Sequence, residues 1–212
     1  MEAVTVITAD IVRSRTVGDT ASSLPGRLVE LAHPLLITAF SMSRGDEIQA
    51  ACRGFLQAPE LARQLRFACL PVRLRVGIGV GEVETGLGSA NSWDMNGSAF
   101  VRARESLESL GKAPQARTVV RSGSAGFDEI ANAIWALMDA LQNRWTREQW
   151  DAVHHYERLG TYEAAGKALG IALQNVQKRC KAANWATVRQ AEEALRHLGR
   201  ELMGVHPSPT RG

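Results

Sequence analysis

The chain has little cysteine, few aromatics and no long apolar run. Its three cysteines (Cys52, Cys69 and Cys180) are odd in number and far apart, and no CxxC pair or Cys/His cluster occurs. Neither a disulfide framework nor a structural zinc site is therefore expected. No apolar stretch approaches the roughly 18 residues of a membrane span. The opening MEAVTVITAD lacks a basic segment ahead of an apolar core. No secretory signal is expected, and the reading is a soluble, cytoplasmic protein with no membrane partner. Charge of one sign is scarce too: 25 basic residues face 22 acidic ones, for a formal +3. That excess does not by itself point to nucleic acid. What is present is ordinary globular composition, 45% hydrophobic and 22% charged over 212 residues. That is enough for one large domain or two small ones.

The first ~120 residues alternate strand-like and helix-like segments. Ala3 to Val12, rich in Val, Ile and Thr, predicts a buried strand, and Arg13 to Gly26 a loop. Leu24 to His33 reads as a helix. Leu35 to Ser43 and Glu47 to Phe55 read as strands around the Arg44-Gly45-Asp46 turn, a hairpin signature. A helix is expected over Pro59 to Cys69. The alternation VRLRVGIGV predicts a strand over Val72 to Val80, which Glu82 to Gly88 either extends or answers with a partner strand. Ser98 to Leu110 is helical by period, with Phe100, Ala103, Leu107 and Leu110 on one stripe, and Ala116 to Arg121 is a short last strand. Beyond Gly126 only helices are expected, at about 126–143, 146–159, 161–169, 172–183 and 185–203. The organisation that follows is a sheet domain over 1–122, a connecting helix over 123–144, a helical domain over 145–204 and a mobile tail over 205–212.

Asp10 ends an apolar strand, and Asp46 sits at a hairpin tip with Glu47 behind it. A carboxylate at the end of a core strand costs desolvation unless it is paired or binds a cation. Two such groups on adjacent strands would suit Mg²⁺ together with phosphate oxygens. The competing reading makes Asp10 the start of a loop and Asp46-Glu47 a solvated turn. The glycines of GIGVGE lie inside an alternating strand, without the strand–turn–helix context of a dinucleotide fingerprint. Close backbone packing, or the approach of a ligand, explains them better.

The succession TADIVRSR, SRGDEIQA, LRVGIGVGEVETG and SWDMNGSAFVRARESLE resembles the catalytic domain of class III nucleotide cyclases and the related palm-type GGDEF domains, over about residues 3–121. The fold this implies is α+β: a ferredoxin-like palm with an antiparallel sheet and helices. The resemblance also implies that Asp10, Asp46 and the carbonyl of Ile11 hold Mg²⁺ or Mn²⁺, that the metal clamps a nucleoside triphosphate, and that Asp94 reads the purine. The Asn and Arg that stabilise the cyclase transition state fall on Val101 and Glu105 here, and the purine-selecting Lys falls on Met42. Arg104 is one residue off, about 100° round a helix. Ordinary adenylate or guanylate cyclase activity is therefore not expected, and Arg102 and Arg104 are the candidate replacements at the nucleotide. A closer resemblance is to the SatD family, carried by Ile7–Arg15, Arg44–Ile48, Arg75–Glu82 and Gly97–Leu107 and covering nearly the whole chain.

The helical half carries a second pattern. Between Tyr156 and Gln190, six basic residues face two acidic ones. In TYEAAGKALGIALQNVQKRCKAA, Thr161 is a cap for a helix with the stripe Ala164, Ala165, Ala168 and Leu169. Gly170 ends that helix, Ile171 plugs the core, and Val176 and Cys180 face inward on the next helix. This spacing resembles a helix-turn-helix of the sigma-region-4 or response-regulator kind, giving an all-α helix-turn-helix domain after the palm. Gln174, Asn175, Gln177, Lys178 and Lys181 then form the DNA-facing side, since amides read adenine edges and lysines contact phosphate. Trp145, Trp150, Trp185 and the His154-His155 pair read as packing or surface residues. One such motif usually needs a second half-site, so a homodimer is expected. The apolar positions Phe127, Ile130, Ile134, Leu137, Met138 and Leu141 make helix 126–143 a link or a dimer seam. Three functions follow. The first is a nucleotide- and metal-sensing regulator that binds double-stranded DNA. The second is an active two-metal nucleotidyl transferase, and the third a non-catalytic dimerisation scaffold.

Overall fold

A computed structural model describes residues 3–12, 23–43, 46–55, 58–111, 115, 117–202 and 204. Residues 13–22 of the loop expected over Arg13 to Gly26 and the expected mobile tail over 205–212 lie outside the described residues, as do Arg44 and Gly45 of the hairpin turn. Among the described residues there are five strands and eight α-helices. The strands are β1 (Val4–Ile11), β2 (Ser41–Met42), β3 (Glu47–Arg53), β4 (Leu74–Gly81) and β5 (Thr118–Arg121). The helices are α1 (Leu24–Val29), α2 (Ala58–Cys69), α3 (Ser98–Ser109), α4 (Ala125–Gln142), α5 (Arg147–Leu159), α6 (Tyr162–Leu169), α7 (Leu173–Ala182) and α8 (Trp185–Leu202).

The strands form one sheet in the order β2-β3-β1-β4-β5. β1 is central and antiparallel to both β3 and β4, with Asp10 opposite Glu47 on one side and Arg75 on the other. The expectation of an antiparallel sheet needs one correction. β5 runs parallel to β4, so the sheet is mixed. The reason is α3, which carries the chain over the sheet and returns it to the same end, as a parallel pair requires.

Packing of α3 explains the glycine-rich strand. Gly77, Gly79 and Gly81 share one face of β4, and a Cβ on any of them would strike α3: the Leu107 amide lies 2.6 Å from one built on Gly77, and the Ser98 hydroxyl 2.5 Å from one built on Gly81. The helix thus lies directly on strand backbone. Val4, Val6, Ala51, Ala99, Phe100 and Ala103 fill the space beneath it.

The strand expected over Leu35 to Ser43 survives only as β2. Ile37 and Thr38 both donate their amides to the Ala51 carbonyl, and the Thr38 hydroxyl accepts from the Ala51 amide at 2.9 Å. Two residues facing one, with a hydroxyl in place of a carbonyl, interrupt the ladder as a bulge does. The segment 82–88 makes no strand among the described residues; it turns back through an isolated bridge between Thr85 and Asn96.

On the other face of the sheet, Ile7, Ala9 and Ile11 enter a large core that runs on through α2, α4, α5, α7 and α8. Two buried ion pairs cross it. Arg63 of α2 meets Glu192 of α8 at 2.7 Å, and Arg66 of α2 meets Asp139 of α4 at 2.7 Å. The Arg63 guanidinium also lies over the Trp185 ring at 4.7 Å. Trp145 and Trp150 pack edge to face, 4.6 Å apart, and His154 stacks on Phe67 at 3.8 Å. Trp145, Trp150, Trp185 and His154 are thus packing residues, with Trp185 and His154 set against α2. All three described cysteines are buried and free. Burial pushes the Cys52 and Cys69 thiols up to about 12 and the Cys180 thiol to about 11, away from any nucleophilic role.

Candidate functional site

Two surfaces carry the residues singled out by sequence. The first is the α3 side of the sheet. There α3, the loop through the 3₁₀ turn Ser92–Asp94 and strand β3 enclose a cleft of about 510 Å³. Asp94, Arg104 and Glu105 line it, as does Val101. A neighbouring recess of about 310 Å³ shares Arg104, Gln49 and Glu108 and reaches Thr8 and Glu47. The Asp94 carboxylate is exposed and accepts from the Ser89 hydroxyl at 3.1 Å, while the Trp93 indole donates to Ser41 at 3.0 Å and fixes the loop to β2. The Ser92 hydroxyl is buried and has no hydrogen-bond partner among the described residues.

Asp94 and Arg104 therefore share one cleft, and Val101 and Glu105 share it with them. Arg102 does not join them. It points to the other side of α3, donates to the Val80 carbonyl at 2.7 Å and fills the space beside Gly123. Its job is to tie α3 to the β4–β5 edge. The lining is acidic: Glu47, Asp94, Glu105 and Glu108 face Arg104. Bare polyphosphate is repelled by such a surface.

Asp10 lies beyond this cleft at the end of β1. Arg75 takes both its carboxylate oxygens, from Nε to Oδ1 at 2.7 Å and from Nη2 to Oδ2. The same arginine also donates to the Gly111 carbonyl. A guanidinium thus stands where a cation would. Ile11 pairs with Leu74, and its side chain is in the core. Asp46 is half-buried just ahead of β3. Among the described residues no group of three His, Cys, Asp or Glu side chains comes together to hold a metal. The Asp10 end as folded does not fit a two-metal centre, because an ion there must first displace Arg75. Arg75 itself went unread in the sequence. The alternation of VRLRVGIGV puts it on the face of Gly77 and Gly79, but only the β1–β4 register brings it opposite Asp10.

The second surface is α7. A capping box, Thr146 with Gln149, starts α5, and Gly160 ends it in a left-handed turn at φ 76°. The Thr161 hydroxyl accepts from the Ala164 amide at 3.1 Å to start α6. Gly170, at φ 66°, ends α6, and the Ile171 amide closes on the Gly166 carbonyl at 3.0 Å, the arrangement of a glycine C-cap. Ala168 is exposed rather than on the inner stripe; Gly166 is the buried contact, because the Ile171 carbonyl lies 2.7 Å from where a Cβ would stand. α5, α6 and α7 pack on one another. Val176 and Cys180 anchor α7 inward, while Gln174, Asn175, Gln177, Lys178 and Lys181 are all exposed.

The molecule is thus an α+β protein whose mixed sheet shares a core with a compact set of C-terminal helices. The chain belongs to the SatD family, whose model matches residues 5–186. No curated protein matches it. A solved structure, the regulator of polyketide synthase expression from Bifidobacterium adolescentis, aligns at 14% identity over 96% of this chain and 80% of its own, with a TM-score of 0.25. No helix among the described residues is long and apolar enough to cross a membrane.

Proposed function

We propose that the protein is a DNA-binding regulator in which α7 enters the major groove. The observation that carries this reading is the division of α7. Val176 and Cys180 hold it against the other helices, while three amides and two lysines stand in solvent. Amides match the donor–acceptor pattern of adenine, and lysines supply phosphate contacts. Fluorescence anisotropy against a pool of genomic fragments tests this reading. A subset of fragments bound with salt-dependent affinity supports it. Uniform failure to bind at low salt removes it and leaves the scaffold reading.

Two copies would let two such helices reach successive half-sites. The exposed side of α4 is the candidate seam. Ile130 and Leu137 are exposed there, Ile134 and Leu141 are half-buried, and Ala133, Ala136 and Ala140 lie between them. The 4-3-4 spacing of the four large residues is that of a helix pair.

Nucleotide sensing is the second reading. It is favoured by the meeting of Asp94 and Arg104 in one cleft. Because the lining is acidic, the ligand would have to be a neutral nucleoside or base, or bring Mg²⁺ with it. Calorimetry with ATP and GTP, with and without Mg²⁺, and with the parent nucleosides separates these cases. No heat from any of them ends the reading. Pyrophosphate release that is abolished by Asp46→Asn would instead favour nucleotidyl transfer.

A further inference from the structure

Beneath α3 the sheet changes character along its length. The β1–β3 register there runs Val6 opposite Ala51, then Thr8 opposite Gln49, then Asp10 opposite Glu47. The first pair belongs to the apolar cluster that α3 covers. From the second pair on, the row is polar. Beside it the recess of about 310 Å³ opens between Thr8, Glu47 and Gln49 on the sheet and Arg104, Leu107 and Glu108 at α3. Thr8 and Gln49 are almost covered, at 3% and 7% exposure. Neither the Thr8 hydroxyl nor the Gln49 side-chain amide has a hydrogen-bond partner among the described residues. The Thr5 and Ser92 hydroxyls also lack partners, but they are sealed from solvent. The polar atoms of Thr8 and Gln49 are not sealed; they open into the recess, and Gln49 into the neighbouring cleft as well. Polar groups covered to this degree are nearly always matched by a partner, whether protein or bound from outside.

The charge around this pair is unmatched as well. Glu47, Asp94, Glu105 and Glu108 line the recess and the cleft against the guanidinium of Arg104. None of these five is in an ion pair among the described residues, whereas Asp10, Asp139 and Glu192 each meet an arginine. Recess and cleft share Gln49, Arg104 and Glu108, so they run together as one trough. Val101 and Leu107 give it apolar surface, and Trp93 an aromatic ring. An acidic lining of this kind attracts cations. A primary ammonium, with three donors and no acceptor, complements a hydroxyl, an amide oxygen and carboxylates. The length of the trough suits a chain that carries more than one ammonium better than a compact ion.

We propose that this trough binds a linear aliphatic polyamine. One ammonium is held by Thr8 Oγ1, Gln49 Oε1 and the Glu47 carboxylate, the methylene chain follows Leu107 and Val101, and a second ammonium lies among Asp94 and Glu105. The Trp93 ring adds cation–π attraction at that end. The ligand touches β1 and β3, α3 and the turn Ser92–Asp94, so occupancy fastens the helix and the turn to the sheet. This occupant is neither nucleotide nor DNA, and it does not rest on either reading given above.

The test titrates the full chain, labelled with ¹⁵N at its tryptophan indoles, with spermidine and in parallel with butylamine and Mg²⁺. The expected result is a saturable shift of the Trp93 signal with spermidine, since Trp93 lines the cleft, while Trp145 and Trp150 stay still. Butylamine, with one ammonium, should bind about ten-fold or more weakly. Mg²⁺ should give no saturation at the concentrations that saturate spermidine. Gln49→Leu removes the acceptor beneath α3 and should weaken spermidine about ten-fold or more. Glu108→Gln, at an exposed position that keeps the fold, should weaken it about three-fold. Glu193→Gln, an exposed carboxylate on α8, should leave it unchanged. No saturable shift of Trp93, an equal response to butylamine or Mg²⁺, or an affinity that Glu108→Gln leaves unaltered overturns the proposal. So does an equal loss in Glu193→Gln, which would reduce the binding to general charge attraction. Failure with the amines leaves the nucleotide reading to its own calorimetry.

Discussion

Replacing Lys178 and Lys181 with alanine tests the role of α7 through the salt dependence of binding. Both side chains are exposed, and neither is in an ion pair among the described residues. Their loss should therefore leave the folded state intact. Each phosphate contact contributes about −0.9 to the slope of log Kobs against log salt. Two lysines per protomer are four contacts in a dimer, so the slope should flatten by about 3.6. At 0.15 M salt each lost contact weakens binding by about 0.7 log units, so the double variant should bind roughly a thousand-fold more weakly. The assay is fluorescence anisotropy on one selected fragment between 50 and 300 mM salt, with thermal unfolding as the folding control. Gln174→Ala and Gln177→Ala provide the contrast, because amides that read bases should change which fragment is preferred while leaving the slope alone. An unchanged slope in the lysine variant would refute the idea that α7 lies on the phosphate backbone. A flattened slope for the glutamine variants would show that the two roles have been assigned the wrong way round.

Four other outcomes follow from the packing. Arg63→Met or Glu192→Leu alone should cost about 3–5 kcal/mol in chemical denaturation, because each leaves a buried charge unpaired, whereas the double variant should be close to wild type; additive losses would mean that the pair is not coupled. Gly79→Ala should cost about 3 kcal/mol or more, since the added methyl meets α3 backbone that cannot rotate away; a neutral result would mean that α3 does not lie on β4. Leu137→Glu should halve the mass measured by sedimentation if α4 is the dimer seam, and an unchanged dimer would place the seam elsewhere. The fourth outcome concerns pH. Burial, reinforced by the nearby His155, Arg158 and Arg63 charges, pushes His154 down from 6.5 to about 4. Between those values the unfolded chain binds more protons than the folded one, so stability falls as pH drops through that window. Allowing for the partial exposure of the ring, the loss is about 1–2 kcal/mol. His154→Gln should remove that increment from the difference between pH 7 and pH 4.5, and an equal pH dependence in the two proteins would contradict it.

Local signals carried most of the element boundaries. Thr161 and Gly170 bound α6 as expected, because capping and the left-handed turn depend on only a few neighbouring residues. Val176 and Cys180 face inward on α7, and the five proposed DNA-facing residues outward, because helical period alone sorts them. The glycines of β4 were legible as a close approach, though not as an approach of α3 in particular.

Contacts between distant segments were not legible. Asp10 reads as an unpaired carboxylate until the β1–β4 register sets Arg75 beside it, 65 residues away in sequence. Arg102 and Arg104 look interchangeable on a helix until the sheet shows which side of α3 faces the cleft. The sheet reads as antiparallel until the crossover through α3 returns β5 parallel to β4. The two halves, which differ so clearly in composition, meet in one core through Arg63–Glu192 and Arg66–Asp139, and the orphaned donors of Arg66 and Gln142 exist only at that junction. By itself, then, the sequence determined which elements form and which face of each is apolar, since propensity, caps and period act within a few residues. Only the tertiary structure decided which charges are matched and where cavities open, because both depend on groups that chain order keeps far apart and packing brings together.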